Sequence, residues 1–382
     1  YEIMPSLVGS EMCIRDRMST RYSRKFDIDH VYWDPELRYS EFAEEIKECF
    51  KRNFDLYNKA FDVVMKIAVE KGKKGEFGHR VYTLDEIRNL IPIAAYTNVI
   101  FGCNVRALYE HFSELLSSED PFVRDFAKKA CEEIGKVVPK FFENMEVNSN
   151  LLERKKKLRE KAEELFKKEW KPVKESVQLF YEKPMEETVL TQILYPYCTV
   201  PFSEIFEKVC GLNGSERKEI FELANFGRES RESPVRGYAT RPIIFEIEAP
   251  WSIWKDFKRH RMNLRFQQDM RGKAGFYTPE LIGESDIADE YKSAQEKTSE
   301  LIEKVYQKFG YKSTMVASQG SMKRFLLCMD PHQLTVLTEL RTIGEGDKGY
   351  RKIASKMIEL VKEQNPRLFG HVIDNYKKER VV

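Results

Sequence analysis

The sequence predicts an α+β fold: a duplicated unit of long helices packed on a small antiparallel sheet, with the first copy truncated and mostly helical. Three observations predict it. Tyr32-Trp33-Asp34-Pro35-Glu36-Leu37 parallels Phe276-Tyr277-Thr278-Pro279-Glu280-Leu281 at an offset of 279 − 35 = 244, and each block precedes a long helical pattern. Further on, Arg124, Ala127, Lys129, Glu132, Pro139 and Phe142 match Arg351, Ala354, Lys356, Glu359, Pro366 and Phe369 at a constant 351 − 124 = 227. Residues 243–249 alternate, with Phe245 and Ile247 on one face and Glu246 and Glu248 on the other, the period of a half-solvated strand.

The elements follow in chain order. Residues 1–17 (YEIMPSLVGSEMCIRDR) lack the basic and apolar regions of a signal peptide and show no helical or strand period. They read as a non-native tail resembling translated sequencing adapter, with native sequence before Met18 missing; the alternative is a disordered native arm. Residues 18–150 hold the first copy. There Phe42, Ile46, Phe50, Phe54, Tyr57, Phe61, Val64 and Ile67 recur every three or four positions, one apolar face of a helix of about thirty residues. Ser40 is its expected cap and Gly72 its expected stop. Helical patterns resume over 84–116 and 122–138, where Pro139 interrupts. Residues 151–184 form a charged linker, helical and exposed up to Pro172, and 185–382 hold the second copy. In it Pro250 opens a helix bearing Trp251, Trp254 and Phe257 on one side. A long helix covers 287–309 with Gly310 after it, and helices dominate from Met322 onward.

Composition excludes several function classes. Lys+Arg is 64 against Asp+Glu 62, a net charge of +2, which argues against a general nucleic-acid or basic membrane binder. A hydrophobic fraction of 42% with 12% aromatics supplies a core and is too rich for a disordered chain. No apolar run reaches the roughly 18 residues of a membrane span. The seven cysteines are scattered and odd in number, without a C-x-x-C pair, which suits reduced thiols in the cytoplasm. No metal-ligand spacing is present.

One local concentration of charge stands out. Between positions 255 and 273 lie Lys255, Lys258, Arg259, Arg261, Arg265, Arg271 and Lys273 against Asp256 and Asp269. Guanidinium forks bind phosphate oxygens bidentately, and several together neutralise a pyrophosphate. The bland counterpart is a solvated face with scattered ion pairs.

Within this run, Arg259-His260-Arg261, seven residues, then Asp269-Met270-Arg271 resembles the flavin-dependent thymidylate synthase family, whose motif is Arg-His-Arg, seven residues, Ser-x-Arg, then Tyr. Here Asp269 replaces the serine and Gly272 the tyrosine. Residues 245–250 (FEIEAP) are similar to the family's strand before the motif. Ser19-Thr20-Arg21-Tyr22 fits the Ser-x-Arg-Tyr ending a second time. The family's later Arg, Leu-Pro and Asn-x-Arg are similar to Arg88, Ile91-Pro92 and Asn104-Val105-Arg106, with 104 − 88 = 16 as in the family. In the second copy those positions are Thr314 and Asp330-Pro331-His332, while Leu340-Arg341 fits a later Leu-Arg that the first copy lacks.

The resemblance implies that FAD, methylenetetrahydrofolate and NADPH serve the methylation of dUMP to dTMP. It implies FAD binding by Arg259, His260 and Arg261, joined by Asn104 and Arg106 of the other copy. It assigns dUMP to Arg88, Arg271 and Arg341, with Ser19 and Arg21 on the first copy's side and Gln267 where the family often has a glutamate. Asp269 would repel a phosphate unless protonated or paired with arginine, and Asp256, a glutamine in the family, adds charge nearby. A homodimer of tandem chains would supply four units, with no nucleic acid or membrane as partner. Two alternatives stand beside this reading: a catalytically inactive relative that binds nucleotide or flavin, and a helical nucleic-acid-binding protein using residues 255–273.

Overall fold

The computed structural model describes residues 13–17, 26–71, 75–97, 99–143, 145–166, 170–173, 175–181, 185–227, 235–238, 242–260, 262–344, 346–364, 366–369 and 372–378. Ser19, Arg21, Gly72 and Arg261 lie outside them.

The fold is α+β, long helices on a small antiparallel sheet, and the element order repeats. In the first copy Asp34 caps the short helix Pro35–Arg38, accepting from Glu36 N at 2.9 Å and Leu37 N at 3.2 Å. The helix Ala43–Glu70 follows, burying Ile46, Phe50, Phe54, Tyr57 and Val64 as its periodicity requires. In the second copy the short helix Glu280–Gly283 precedes Ala288–Phe309. The two long helices share one apolar core across the copies: Phe50, Phe54 and Tyr57 belong to the same cluster as Tyr291, Leu301 and Ile302.

The junction between copies has the signature of an approximate twofold. Pro92 bridges Ser318, and 318 − 92 = 226 is the offset that relates Asn104 to Asp330, so equivalent positions pair with each other. Flanking bonds run both ways, Ile93 N to Ala317 O at 2.8 Å and Gln319 N to Ile91 O at 2.8 Å. The symmetry is broken by charge. Lys312 ion-pairs with Asp34 at 3.1 Å. At the position equivalent to Lys312, Glu86 accepts the Leu281 N–H at 2.7 Å, capping a helix whose own Thr278 lacks the aspartate. Each copy thus completes the other's short helix.

Six strands are described. Cys13–Arg17 (β1) pairs antiparallel with Val99–Cys103 (β2). Val177–Tyr181 (β3), Ile243–Pro250 (β4), Leu264–Gln267 (β5) and Met322–Met329 (β6) form a sheet of order β3-β4-β6-β5, all antiparallel. β1 and β2 sit where β5 and β6 sit in the second copy.

Several sequence expectations are corrected. β1 lies in a segment with no strand period, β2 interrupts the helix expected over 84–116, and β6 stands where a helix was expected. From Phe325 to Met329 β6 is apolar and buried on both faces, so it carries no alternation there, and periodicity cannot separate such a strand from a buried helix. β4 is not half-solvated. Phe245 and Ile247 pack against the helices of 331–369, while Glu246 faces those of 185–224. The Glu246 carboxylate is accommodated there by the Tyr195 hydroxyl at 2.9 Å and the Phe202 N–H at 2.8 Å, the latter at the start of the helix Phe202–Cys210. The charged helix Ser149–Phe166 is not a solvated linker either, since Arg154, Leu158, Lys161 and Ala162 are buried.

Burial pushes the Glu246 carboxyl up to about 7, against the opposing pull of Arg324 and its hydrogen bonds. A carboxyl with a raised folded-state pKa binds more protons folded than unfolded, so this group's contribution to stability falls as pH rises from about 4.5 to about 7 and is flat above. Glu246→Gln is expected to flatten that part of the stability–pH curve, measured by urea unfolding between pH 5 and 8.

Candidate functional site

β4 delivers the basic motif. Pro250 caps the helix Trp251–Phe257, which ends in Lys258, Arg259 and His260. The helix start is tied to both copies: Ser252 N donates to Gln319 O at 2.8 Å, and Ser252 Oγ to Asn89 Oδ1 at 2.8 Å. Asn89 belongs to the 3-10 turn Arg88–Leu90 of the first copy. The motif-bearing helix therefore sits on the junction.

Arg88 crosses that junction. It is 1% exposed and meets Asp256 at 3.2 Å and Asp347 at 2.8 Å, both in the second copy, and Asp85 at 3.6 Å in its own. Burial opposes its charge, but these three carboxylates raise its pKa further. Asp256 in turn reaches Arg259 at 3.4 Å. Burial alone would push the Asp256 carboxyl up; Arg88, Arg259, Lys255 and Arg341 override it and hold it below the ordinary aspartate value. The aspartate in place of the family's glutamine is thus the counter-charge for Arg88. Asp347 also accepts Gly349 N at 2.7 Å, fixing the start of the helix Lys348–Gln364.

Arg341 and His260 form the outer part. Arg341 Nε donates to His260 Nε2 at 2.7 Å, Nη2 to Asp256 O at 3.3 Å, and the guanidinium lies over Tyr350 at 5.2 Å from the ring centre. Burial pushes the His260 pKa down to about 3, with the charges of Arg341, Arg265 and Arg259 adding to it. The ring is neutral at pH 7, accepts at Nε2, and carries its proton on Nδ1. Arg259 remains half exposed, its side chain at 51%.

Four of the sequence-selected residues, Arg88, Arg259, His260 and Arg341, therefore converge around Asp256. The others do not. Arg271 is buried against Glu303, its Nη2 at 2.7 Å and Nε at 3.2 Å from the two carboxylate oxygens. Gln267 is exposed on β5. Asn104 caps the helix Val105–Leu116, accepting from Ala107 N at 2.8 Å, and Arg106 is an exposed partner of Glu110 at 3.2 Å. Asp269 meets Arg159 at 3.0 Å, the arginine pairing its position demanded. Sequence reasoning missed Asp347, whose only local signal is an aspartate ahead of a helical pattern. It also missed Lys323, buried beneath Trp251 with Nζ donating to Gln268 O at 3.1 Å and a pKa pushed down to about 7, by burial first.

Among the described residues, no group of histidine, cysteine, aspartate or glutamate side chains could hold a metal, and no helix is long and apolar enough to cross a membrane.

Comparison with known proteins agrees with this architecture. The chain is 24% identical over 372 residues to a UPF0159 protein of Chlamydia muridarum, covering 91% of this chain and 70% of that one. It is 25% identical over 381 residues to a UPF0159 protein of Chlamydia pneumoniae, covering 93% and 72%. A UPF0159 protein of Thermoplasma acidophilum is 23% identical over 393 residues, covering 92% and 78%. The family model described as thymidylate synthase complementing protein matches twice, at residues 4–140 and 238–367, once in each copy. The chain is a tandem, two-copy member of the thymidylate synthase complementing protein family.

Proposed function

We propose that the chain binds FAD and methylates dUMP to dTMP, with methylenetetrahydrofolate as carbon donor and NADPH as reductant. The observation that carries this reading is the field at His260. The charges of Arg341, Arg265 and Arg259 all bear on a neutral imidazole, and Asp256, the carboxylate paired with Arg259, is already shared with Arg88. Such an excess of positive charge at a half-exposed edge fits an anionic ligand of the pyrophosphate class. It also falls on the residues that the family resemblance assigns to flavin.

When bound, FAD supplies the redox chemistry; the protein supplies binding, orientation and electrostatics. Arg259 and Arg261 hold the pyrophosphate. His260 offers its Nδ1 proton as a fixed donor, because Arg341 occupies Nε2. Arg341 is itself held by the Asp256 carbonyl and the Tyr350 ring, so the donor direction is set before ligand arrives. Asn104 and Arg106 are exposed side chains that complete the FAD site between family units, and Ser19 and Arg21 hold the nucleotide. Two chains supply the four units of a homodimer. The free thiols of Cys49, Cys131, Cys198, Cys210 and Cys328 suit a reducing cytoplasm.

A second reading is favoured by one observation: Arg88 and Arg271 are consumed by carboxylates of the chain itself. That suits a relative that binds flavin or nucleotide without turning over. Absorbance near 450 nm in the purified full-length protein, with tritium release from labelled dUMP, separates the two. Flavin with release supports the synthase; flavin without release selects the inactive relative; no flavin overturns the synthase, and no flavin together with no binding of labelled dUMP overturns both.

A further inference from the structure

The second copy departs from the Ser-x-Arg-Tyr ending at Asp269 and Gly272, and the fold accounts for both. A Cβ on Gly272 would lie 1.8 Å from the Ser299 carbonyl oxygen and 2.9 Å from the Glu303 nitrogen, so glycine alone lets this loop close onto the helix Ala288–Phe309. That approach sets the Arg271 guanidinium in a two-point fork on Glu303 and over the Tyr306 ring at 4.2 Å. Burial would raise the Glu303 carboxyl, but the Arg271 hydrogen bond and charge hold it low, so it is an anion. Asp269 is held by Arg159, which also meets Glu119 at 3.3 Å. In the first copy the corresponding residues are Ser19, Arg21 and Tyr22. The position equivalent to Glu303 there is Asn58, uncharged and exposed, since 303 − 58 = 245 = 288 − 43.

We propose that the nucleotide-phosphate position of the second copy is closed from within, the Glu303 carboxylate standing on Arg271 where a phosphate would stand. The second copy keeps the flavin motif and has turned the arginine of its Ser-x-Arg position into an internal strut. This rests on the thymidylate synthase reading for the identity of the nucleotide, and not for the closure itself.

The test uses the full-length chain and two ligands. A buried ion pair replaced by apolar residues of similar size is commonly tolerated, whereas removing one partner is not, so the informative variant is Arg271→Met with Glu303→Leu. It is expected to bind labelled dUMP in equilibrium dialysis within about twofold of wild type. A tenfold loss in the double variant overturns the proposal. Wild-type protein that binds neither dUMP nor flavin would instead refute the functional reading, and closure is then decided with inorganic phosphate. Glu303→Ala is expected to gain several degrees of thermal stability in phosphate over chloride of equal ionic strength, and Glu303→Ala with Arg271→Met to gain none. An equal response of the two would show that no anion takes Glu303's place on Arg271, and would overturn the closure.

Discussion

Arg88→Met is expected to destabilise the chain by about 3–5 kcal/mol, the cost of leaving buried charge without its partner. The substitution keeps the volume of the side chain and removes the cation that Asp85, Asp256 and Asp347 share. Those carboxylates then stand together in a dry junction and must bind protons or draw in water. At roughly 2–4 °C per kcal/mol for domains of 150–250 residues, the midpoint of thermal unfolding falls by more than about 6 °C. Asp256→Asn is expected to cost much less, because Arg88 retains two carboxylates. If Asp256→Asn proves as damaging as Arg88→Met, the junction is not organised around the arginine.

Gly272→Ala is expected to be comparably severe, at least about 3 kcal/mol. The added methyl would meet backbone, the Ser299 carbonyl oxygen, and no side-chain rotation relieves a contact at 1.8 Å. The loop must lift from the helix Ala288–Phe309, breaking the Arg271–Glu303 fork as it goes. Gly283→Ala serves as the control, since its Cβ would find only the Thr278 methyl at an ordinary 3.7 Å. Denaturant midpoints for the two variants decide the matter, and equal values would contradict the close approach.

Much of the helical framework was legible in the sequence because amphipathic helices announce themselves. The three-and-four spacing from Phe42 to Ile67 and the constant repeat offsets needed no knowledge of tertiary contacts. The buried strands were not legible, for a physical reason. β6 is covered on both faces, so Phe325, Leu326, Leu327 and Cys328 show no alternation. Glu246 sent a false signal of solvent, because a carboxylate that accepts from a hydroxyl and a helix-start N–H can stay buried.

The candidate site divides along the same line. The motif spacing identified Arg259 and His260, and the Leu-Arg match identified Arg341; all three meet at one edge. What spacing could not reveal is which arginines already have a partner. Arg88 and Arg271 look equivalent to Arg259 as letters, yet apart from Asp85 their carboxylates come from positions 32 to 259 residues away in the chain. Only the folded junction shows that one guanidinium is half exposed and two are consumed.

The central claim is that the edge carrying Arg259 and His260 holds FAD by directed contacts and not by bulk charge. The most direct test is the FAD affinity of the full-length protein, measured by flavin fluorescence titration, for wild type, Arg259→Ala and Lys273→Ala. A charge-assisted hydrogen bond contributes roughly 1.5–3 kcal/mol, and 1.4 kcal/mol is a factor of ten. Arg259→Ala is therefore predicted to weaken FAD about tenfold to a hundredfold. Lys273→Ala removes the same charge from the same basic run, at an exposed position near Glu303, and is predicted to leave affinity unchanged. Equal losses in the two variants, or wild-type protein that binds no flavin, would contradict the account.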